Sequence, residues 1–216
     1  MDTVKAYLDK KGLTDDIITS VQGLRLENGR FTNFNDCPWA RQEYNLVKFK
    51  KEKYASEGTK EALFIPIFSP NNSLVGLSIR RMDEQKHDSW FSEPRTKNKN
   101  LYGLNWAIPY IIQTNRVFLV EGAYDQIAMR FNGIPNCVAL LGTNFSYSHF
   151  FMLKCLTDNI IMCLDGDMGG KKGIKMALRK YRGKANFYKV NISQDPDEAI
   201  KKYGIDIITK NITVIK

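Results

Sequence analysis

Four short apolar runs dominate the second half of the chain: VFLV (117–120), CVALL (137–141), IIMCL (160–164) and FYKV (187–190). Each is too short for a buried helix and reads as a strand of the buried type. The stretches between them read as helices. AYDQIAMRF (123–131) stops at Asn132-Gly133, residues 146–157 can form a second helix, and a basic run over 171–182 a third. A β-α-β-α-β-α-β alternation of this kind predicts an α/β fold, with a mostly parallel sheet and flanking helices.

The first half follows no such rhythm. Residues 3–11 and 14–21 read as two short helices broken at Gly12. Thr14 followed by Asp15 and Asp16 suits a helix start, because a hydroxyl caps free amides and carboxylates favour the positive dipole end. LFIPIF (63–68) and LVGLSI (74–79) read as strands, and the turn residues of SPNNS between them predict a β-hairpin. The polar stretch 82–100 reads as a loop of basic and aromatic character, with Lys86, Arg95, Lys97 and Lys99 beside Trp90 and Phe91. The expected division is a mixed α+β, basic, template-binding subdomain over 1–113, followed by the α/β domain over 114–216.

With 216 residues, 32 Lys+Arg against 23 Asp+Glu give a formal net charge of +9. Such a balance favours a polyanionic partner, nucleic acid above all. No apolar run approaches the roughly 18 residues of a membrane span, and the N-terminus carries no apolar signal core. A cytoplasmic setting without membrane contact is expected. The four cysteines form no C-x-x-C pair and no histidine stands at finger spacing, so no zinc site is expected.

The residues after the apolar runs carry the chemistry. Glu121-Gly122 follows the first, Asp165-Gly166-Asp167 the third, and Asp195-Pro196-Asp197 lies a short loop beyond the fourth. Asp125 is one helical turn past Glu121. Working groups of parallel α/β sheets gather at the carboxyl ends of the strands, so six carboxylates are expected on one rim. Their mutual repulsion makes such a rim stable chiefly around cations. Oxygen donors without Cys or His point to Mg²⁺ or Mn²⁺. Gly169 and Gly170 precede Lys171 and Lys172 at an expected helix N-terminus, a natural phosphate site. In the first half, Arg80, Arg81, Arg95, Lys97 and Lys99 flank Trp90 and Phe91, an arrangement suited to single-stranded nucleic acid.

EGAYD (121–125), LLGT (140–143), DGDMGG (165–170) and DPDE (195–198) together resemble the TOPRIM domain shared by primases, topoisomerases and some nucleases. YLDKKGLT (7–14), FIPIFSPNNSLVGLSIRR (64–81), FSEPRT (91–96) and LYGL (101–104) are similar to the N-terminal subdomain of bacterial and phage DnaG-type primases. The resemblance implies an RNA-primer-synthesising core working on single-stranded DNA with NTPs, in a bacterial or phage-encoded setting. It implies that Glu121, Asp165 and Asp167 are catalytic. It also implies that these three with Asp125, Asp195 and Asp197 bind metal, and that Arg80 and Lys97 face template or nucleotide.

Ser89 stands where the family shows a lysine, with Lys86 as the candidate substitute. The family's zinc-binding domain and helicase region have no counterpart in the 216 residues. The expected partners are therefore a replicative helicase or a separate zinc-bearing polypeptide. Two rival readings stay open at this point, a TOPRIM metal-dependent nuclease and a non-catalytic nucleic-acid-binding module.

Overall fold

The computed structural model describes residues 3–82, 86–91, 96–142, 144–164 and 168–215. The chain divides into two compact units, one of residues 1–67 and 74–93, the other of residues 68–73 and 94–216.

In the first unit the short helices α1 (Val4–Lys11) and α2 (Asp15–Ser20) stand where the sequence puts them. Thr3 Oγ1 accepts the N–H of Ala6 and Thr14 Oγ1 that of Ile17, satisfying amides that have no partner within their helices. Gly12 ends α1 at φ 68°, a left-handed conformation glycine reaches without a Cβ clash. Strands β1 (Leu24–Glu27) and β2 (Arg30–Phe31) form a two-residue hairpin through Asn28 and Gly29, both at positive φ. Helices α3 (Pro38–Gln42) and α4 (Tyr44–Ser56) follow, then β3 (Ala62–Phe68), β4 (Leu74–Arg81) and β5 (Lys86–Phe91). The sheet order is β2-β1-β3-β4-β5. Part of the expected 82–100 loop is thus an edge strand, with Ile79 opposite Asp88 and Arg80 opposite His87. KHDSWF lacks an apolar alternation because an edge position does not demand one.

The second unit opens with α5 (Leu104–Thr114) and then alternates as expected: β6 (Val117–Val120), α6 (Ala123–Phe131), β7 (Cys137–Ala139), α7 (Tyr147–Lys154), β8 (Asn159–Met162), α8 (Met168–Tyr181) and β9 (Asn186–Val190). It closes with α9 (Pro196–Tyr203), α10 (Asp206–Thr209) and β10 (Ile212–Val214). The order is β10-β9-β8-β6-β7, with β7, β6, β8 and β9 parallel and β10 antiparallel on β9. Leu119, Val138, Ile160 and Met162 share one core with Leu104 and Ile111 of α5, Phe150 of α7 and Tyr181 of α8. The Phe150 and Tyr181 rings stack at 4.3 Å. The second unit therefore begins before residue 114, because the apolar face of α5 covers its sheet. No helix among the described residues is long and apolar enough to cross a membrane.

Candidate active site

Parallel pairing brings the acidic segments to one edge. β8 lies between β6 and β9, so the carboxyl ends of these three parallel strands lie side by side. The amide of Cys163 donates to Leu119 O at 2.8 Å, carrying the β6–β8 pairing to within two residues of Asp165. Asp165 and Asp167 themselves lie outside the described residues. Glu121 follows β6 and is half-buried. Its carbonyl accepts the N–H of Gly142 at 3.1 Å, while Leu140 N–H donates to Val120 O, so the EG and LLG segments are laced together. Leu141 between them sits at φ 58°. A left-handed leucine costs about 1–2 kcal/mol and persists only where its surroundings enforce it.

Asp125 does something the sequence does not announce. Its Oδ2 accepts the N–H of Gly122 at 3.1 Å, the return half of a capping box at the start of α6. Its Oδ1 accepts the N–H of Asp197 in the first turn of α9, at 3.3 Å. One largely buried carboxylate thus serves two helix N-termini. Asp197 is 1% exposed and its Oδ1 accepts the N–H of Glu198. Asp195 is the N-cap of α9 and half-buried. Of the four described carboxylates, Asp125 and Asp197 are engaged by backbone amides, and Glu121 and Asp195 are the more open ones. Among the described residues no three Asp, Glu, His or Cys side chains form a cation site by themselves. The all-oxygen donor set fits a hard cation once Asp165 and Asp167 are counted with Glu121. A Cβ at Gly122 would come within 2.8 Å of Asp125 Oδ2, so only glycine leaves this cap undisturbed.

The basic residues fall into different places. In α8, Lys172 is exposed and, with Lys180, Gly169, Asn144 and Phe145, lines a cavity of about 320 Å³. Lys171 lies in the same helix; its side chain, like those of Lys86 and Lys97, is outside the description. Lys97 belongs to a 3₁₀ turn, Thr96–Lys99. Asn98 ties that turn to the loop after β7: its carbonyl accepts from Ser146 Oγ at 2.6 Å and its Oδ1 from Asn144 Nδ2 at 3.2 Å. Lys86 opens β5 opposite Arg81. Arg80 is half-buried, its guanidinium 5.2 Å from the Tyr7 ring centroid.

Arg81 is not a surface contact, contrary to the sequence-based expectation. It is 1% exposed; Nε and Nη2 donate to Thr59 Oγ1 at 2.9 and 2.6 Å, and Nη1 pairs with Glu57 at 2.7 Å. Neighbouring residues of a strand point to opposite faces, so Arg80 and Arg81 cannot share a groove.

The LYGL segment is built into the second unit. Tyr102 exchanges both backbone hydrogen bonds with Ala139, at 2.9 and 3.0 Å, closing part of the free edge of β7. Gly103 follows at φ 80°, with the buried Gln126 amide where a Cβ would go. Burial holds the Tyr102 phenol well above its ordinary range, partly offset by the Arg130 guanidinium. Arg130 itself lies 4.4 Å over the Trp106 ring.

Residues 118–200 match the Toprim-like family. The DNA primase of Rickettsia prowazekii is 31% identical over 221 residues, covering 95% of this chain and 37% of that protein. The DNA primase of Staphylococcus epidermidis is 28% identical over 218 residues, covering 91% and 35%. The crystal structure of the zinc-binding and RNA polymerase domains of Aquifex aeolicus primase superposes with a TM-score of 0.74. The match covers 99% of this chain and 57% of that one, at 24% identity. The chain is thus similar to the TOPRIM, DnaG-type primase cores. A DNA primase domain from Pseudomonas aeruginosa gives a TM-score of 0.63 at 26% identity, over 71% of this chain and 52% of its own. The chain spans little more than a third of the length of the primases it matches in sequence. A TOPRIM primase core implies use of a divalent metal.

Proposed function

We propose that this chain synthesises or extends short RNA primers on single-stranded DNA. The observation that carries the reading is the convergence of the EG, LLG and DPD segments on one sheet edge, fastened by Asp125, with β8 between β6 and β9. The similarity to primases over nearly the whole chain, and to a DnaG catalytic domain described as bound to ssDNA, supports the same reading.

In this reading Glu121, Asp165 and Asp167 hold divalent ions, Mg²⁺ or Mn²⁺, and organise the reacting groups. Asp195 completes the rim, and Asp125 and Asp197 fix the two helices that shape it. When bound, the ions supply charge neutralisation for the triphosphate and lower the cost of ionising the attacking hydroxyl. The primer 3′-oxygen forms a bond to the α-phosphorus of an NTP, the bond to pyrophosphate breaks, and the hydroxyl proton leaves to solvent. Lys171 and Lys172 take the phosphate charge at the start of α8, where helix amides also favour anions, and Lys180 in its last turn lines the same cavity as Lys172. Arg80, Lys86 and Lys97 contact template or nucleotide. Helicase or zinc-bearing partners supply template delivery.

The test is incubation of the 216-residue chain with single-stranded DNA, NTPs and Mg²⁺ or Mn²⁺. Short RNA products are expected and must vanish in Glu121→Gln. Template cutting without RNA would replace the reading with the nuclease.

A further inference from the structure

The first unit carries a pocket of about 310 Å³ at the edge of its sheet, lined chiefly by Phe31, Phe34, Tyr44, Lys48, Lys51 and Glu52. It is formed where β2, the short turn after it and α4 meet. Its walls are aromatic. Phe31 and Phe34 lie 6.3 Å apart and tilted by 33°, and Tyr44 stands edge-on to Phe34 at 6.2 Å. Tyr44 is 55% exposed. An aromatic face left half open at a pocket mouth is a platform for a second flat ring.

The rim is positive. α4 carries four lysines against the single Glu52. Lys51 Nζ sits 5.7 Å from the Phe31 centroid, and Lys48, 4.0 Å from Glu52, keeps more than half of its side chain in solvent. Glu52 offsets one of the two pocket lysines, and the remaining charge favours an anion. Flat apolar walls, a volume suited to one base with its sugar, and cations at the mouth match a nucleotide within a strand, with its base stacked and its phosphates at the lysines. None of the six residues belongs to the carboxylate rim.

We propose that this pocket is an accessory contact for single-stranded DNA, holding one nucleotide of the strand away from the reacting end. The inference rests on the primase reading for the class of polymer. Stacking on Tyr44 supplies sequence-tolerant affinity, since every base has a π-face. Lys48 and Lys51 supply the salt-dependent part.

The experiment uses a dodecamer of deoxythymidine carrying 5-iododeoxyuridine, with the full chain and EDTA present so that no chemistry occurs. Photo-crosslinking should give adducts at Tyr44 or Phe34. Tyr44→Ala should weaken anisotropy-measured binding about tenfold, the loss typical of one stacked base. Lys48→Ala with Lys51→Ala should flatten the log–log salt dependence by about 1.4, the loss of two single-strand phosphate contacts. Tyr44 and Lys48 are exposed and Lys51 is half-buried on the outer side of α4, so the fold is retained. Glu121→Gln should abolish synthesis yet keep the adducts, which separates this inference from the primase reading. Absence of adducts together with unchanged affinity in both variants would overturn it and leave the pocket to a protein partner.

Discussion

The Asp125 carboxylate and the backbone N–H of Asp197 meet at 3.3 Å across 72 positions of sequence. The same carboxylate holds Gly122 N–H, so the N-termini of α6 and α9 depend on one side chain. Asp125→Ala strands two amides in a largely buried place. Each costs about 1–3 kcal/mol when its partner is removed, and a destabilisation of about 2–4 kcal/mol is expected in urea melts, together with loss of primer extension. Glu121→Gln, which keeps the shape of this half-buried side chain, should lose extension while costing no more than about 1 kcal/mol of stability. Equal stability of the two variants would contradict the capping role of Asp125.

Gly122→Ala tests the same cap from the other side. Its φ of −104° suits any residue, so the effect comes from the 2.8 Å approach to Asp125 Oδ2 alone. The carboxylate must swing away and release at least one amide, at a cost of about 1–2 kcal/mol. In the double variant with Asp125→Ala the glycine penalty should disappear. A double-mutant cycle by urea denaturation reads this coupling directly, and simple additivity would count against it.

Much of the second unit was legible because buried parallel strands leave unbroken apolar runs that few other structures explain. The first unit was harder for physical reasons. α4 buries only Val47, Lys50 and Tyr54, so its apolar periodicity is faint. β5 is a polar edge strand, and Pro109 lies inside α5, where it hides the helix. Two signals were present and unused. Asn28-Gly29 marks the β1–β2 hairpin, and strand alternation alone separates Arg80 from Arg81. The engagement of Asp125 with Asp197 has no local signature, since a carboxylate one turn into a helix looks the same whether it binds a cation or a distant amide.

Arg81 and Arg80 should behave oppositely on substitution. Arg81→Ala removes a guanidinium packed 4.9 Å over Tyr54 and bonded to Thr59 and Glu57. It leaves a cavity and a buried hydroxyl to find another partner, and about 2–4 kcal/mol of stability should be lost. Arg80→Ala should change stability by less than about 1 kcal/mol while weakening single-stranded DNA binding and flattening its salt dependence. Thermal melts and anisotropy titrations on both variants distinguish them; a stable Arg81→Ala that binds DNA poorly would restore Arg81 to the binding surface.

Cys37 gives the chain a pH-dependent term of predictable sign. Burial, reinforced by neighbouring Asp36 and opposed by Arg25, pushes its thiol up from the ordinary 9.0 to about 11. The sulfur lies against the Gln22 and Gly23 carbonyls, at 3.5 and 3.7 Å, which receive an S–H and repel a thiolate. Below pH 9 the thiol is protonated whether folded or unfolded, and its contribution is fully present. Between pH 9 and about 11 the unfolded chain releases the proton and the folded chain keeps it, so unfolding gains in favour as pH rises. The loss over that window is of the order of 2 kcal/mol. Other groups also titrate there, so the reading is a difference: urea-derived stability of wild type should fall more steeply from pH 8 to 10.5 than that of Cys37→Ala. The same protonation makes Cys37 slow toward a disulfide reagent at pH 8. Cys137 and Cys163 are equally buried, and Cys155 is exposed. Folded protein should therefore titrate one thiol quickly, and Cys155→Ser should titrate none until denaturant is added. Parallel pH slopes for wild type and Cys37→Ala would remove the thiol as their cause.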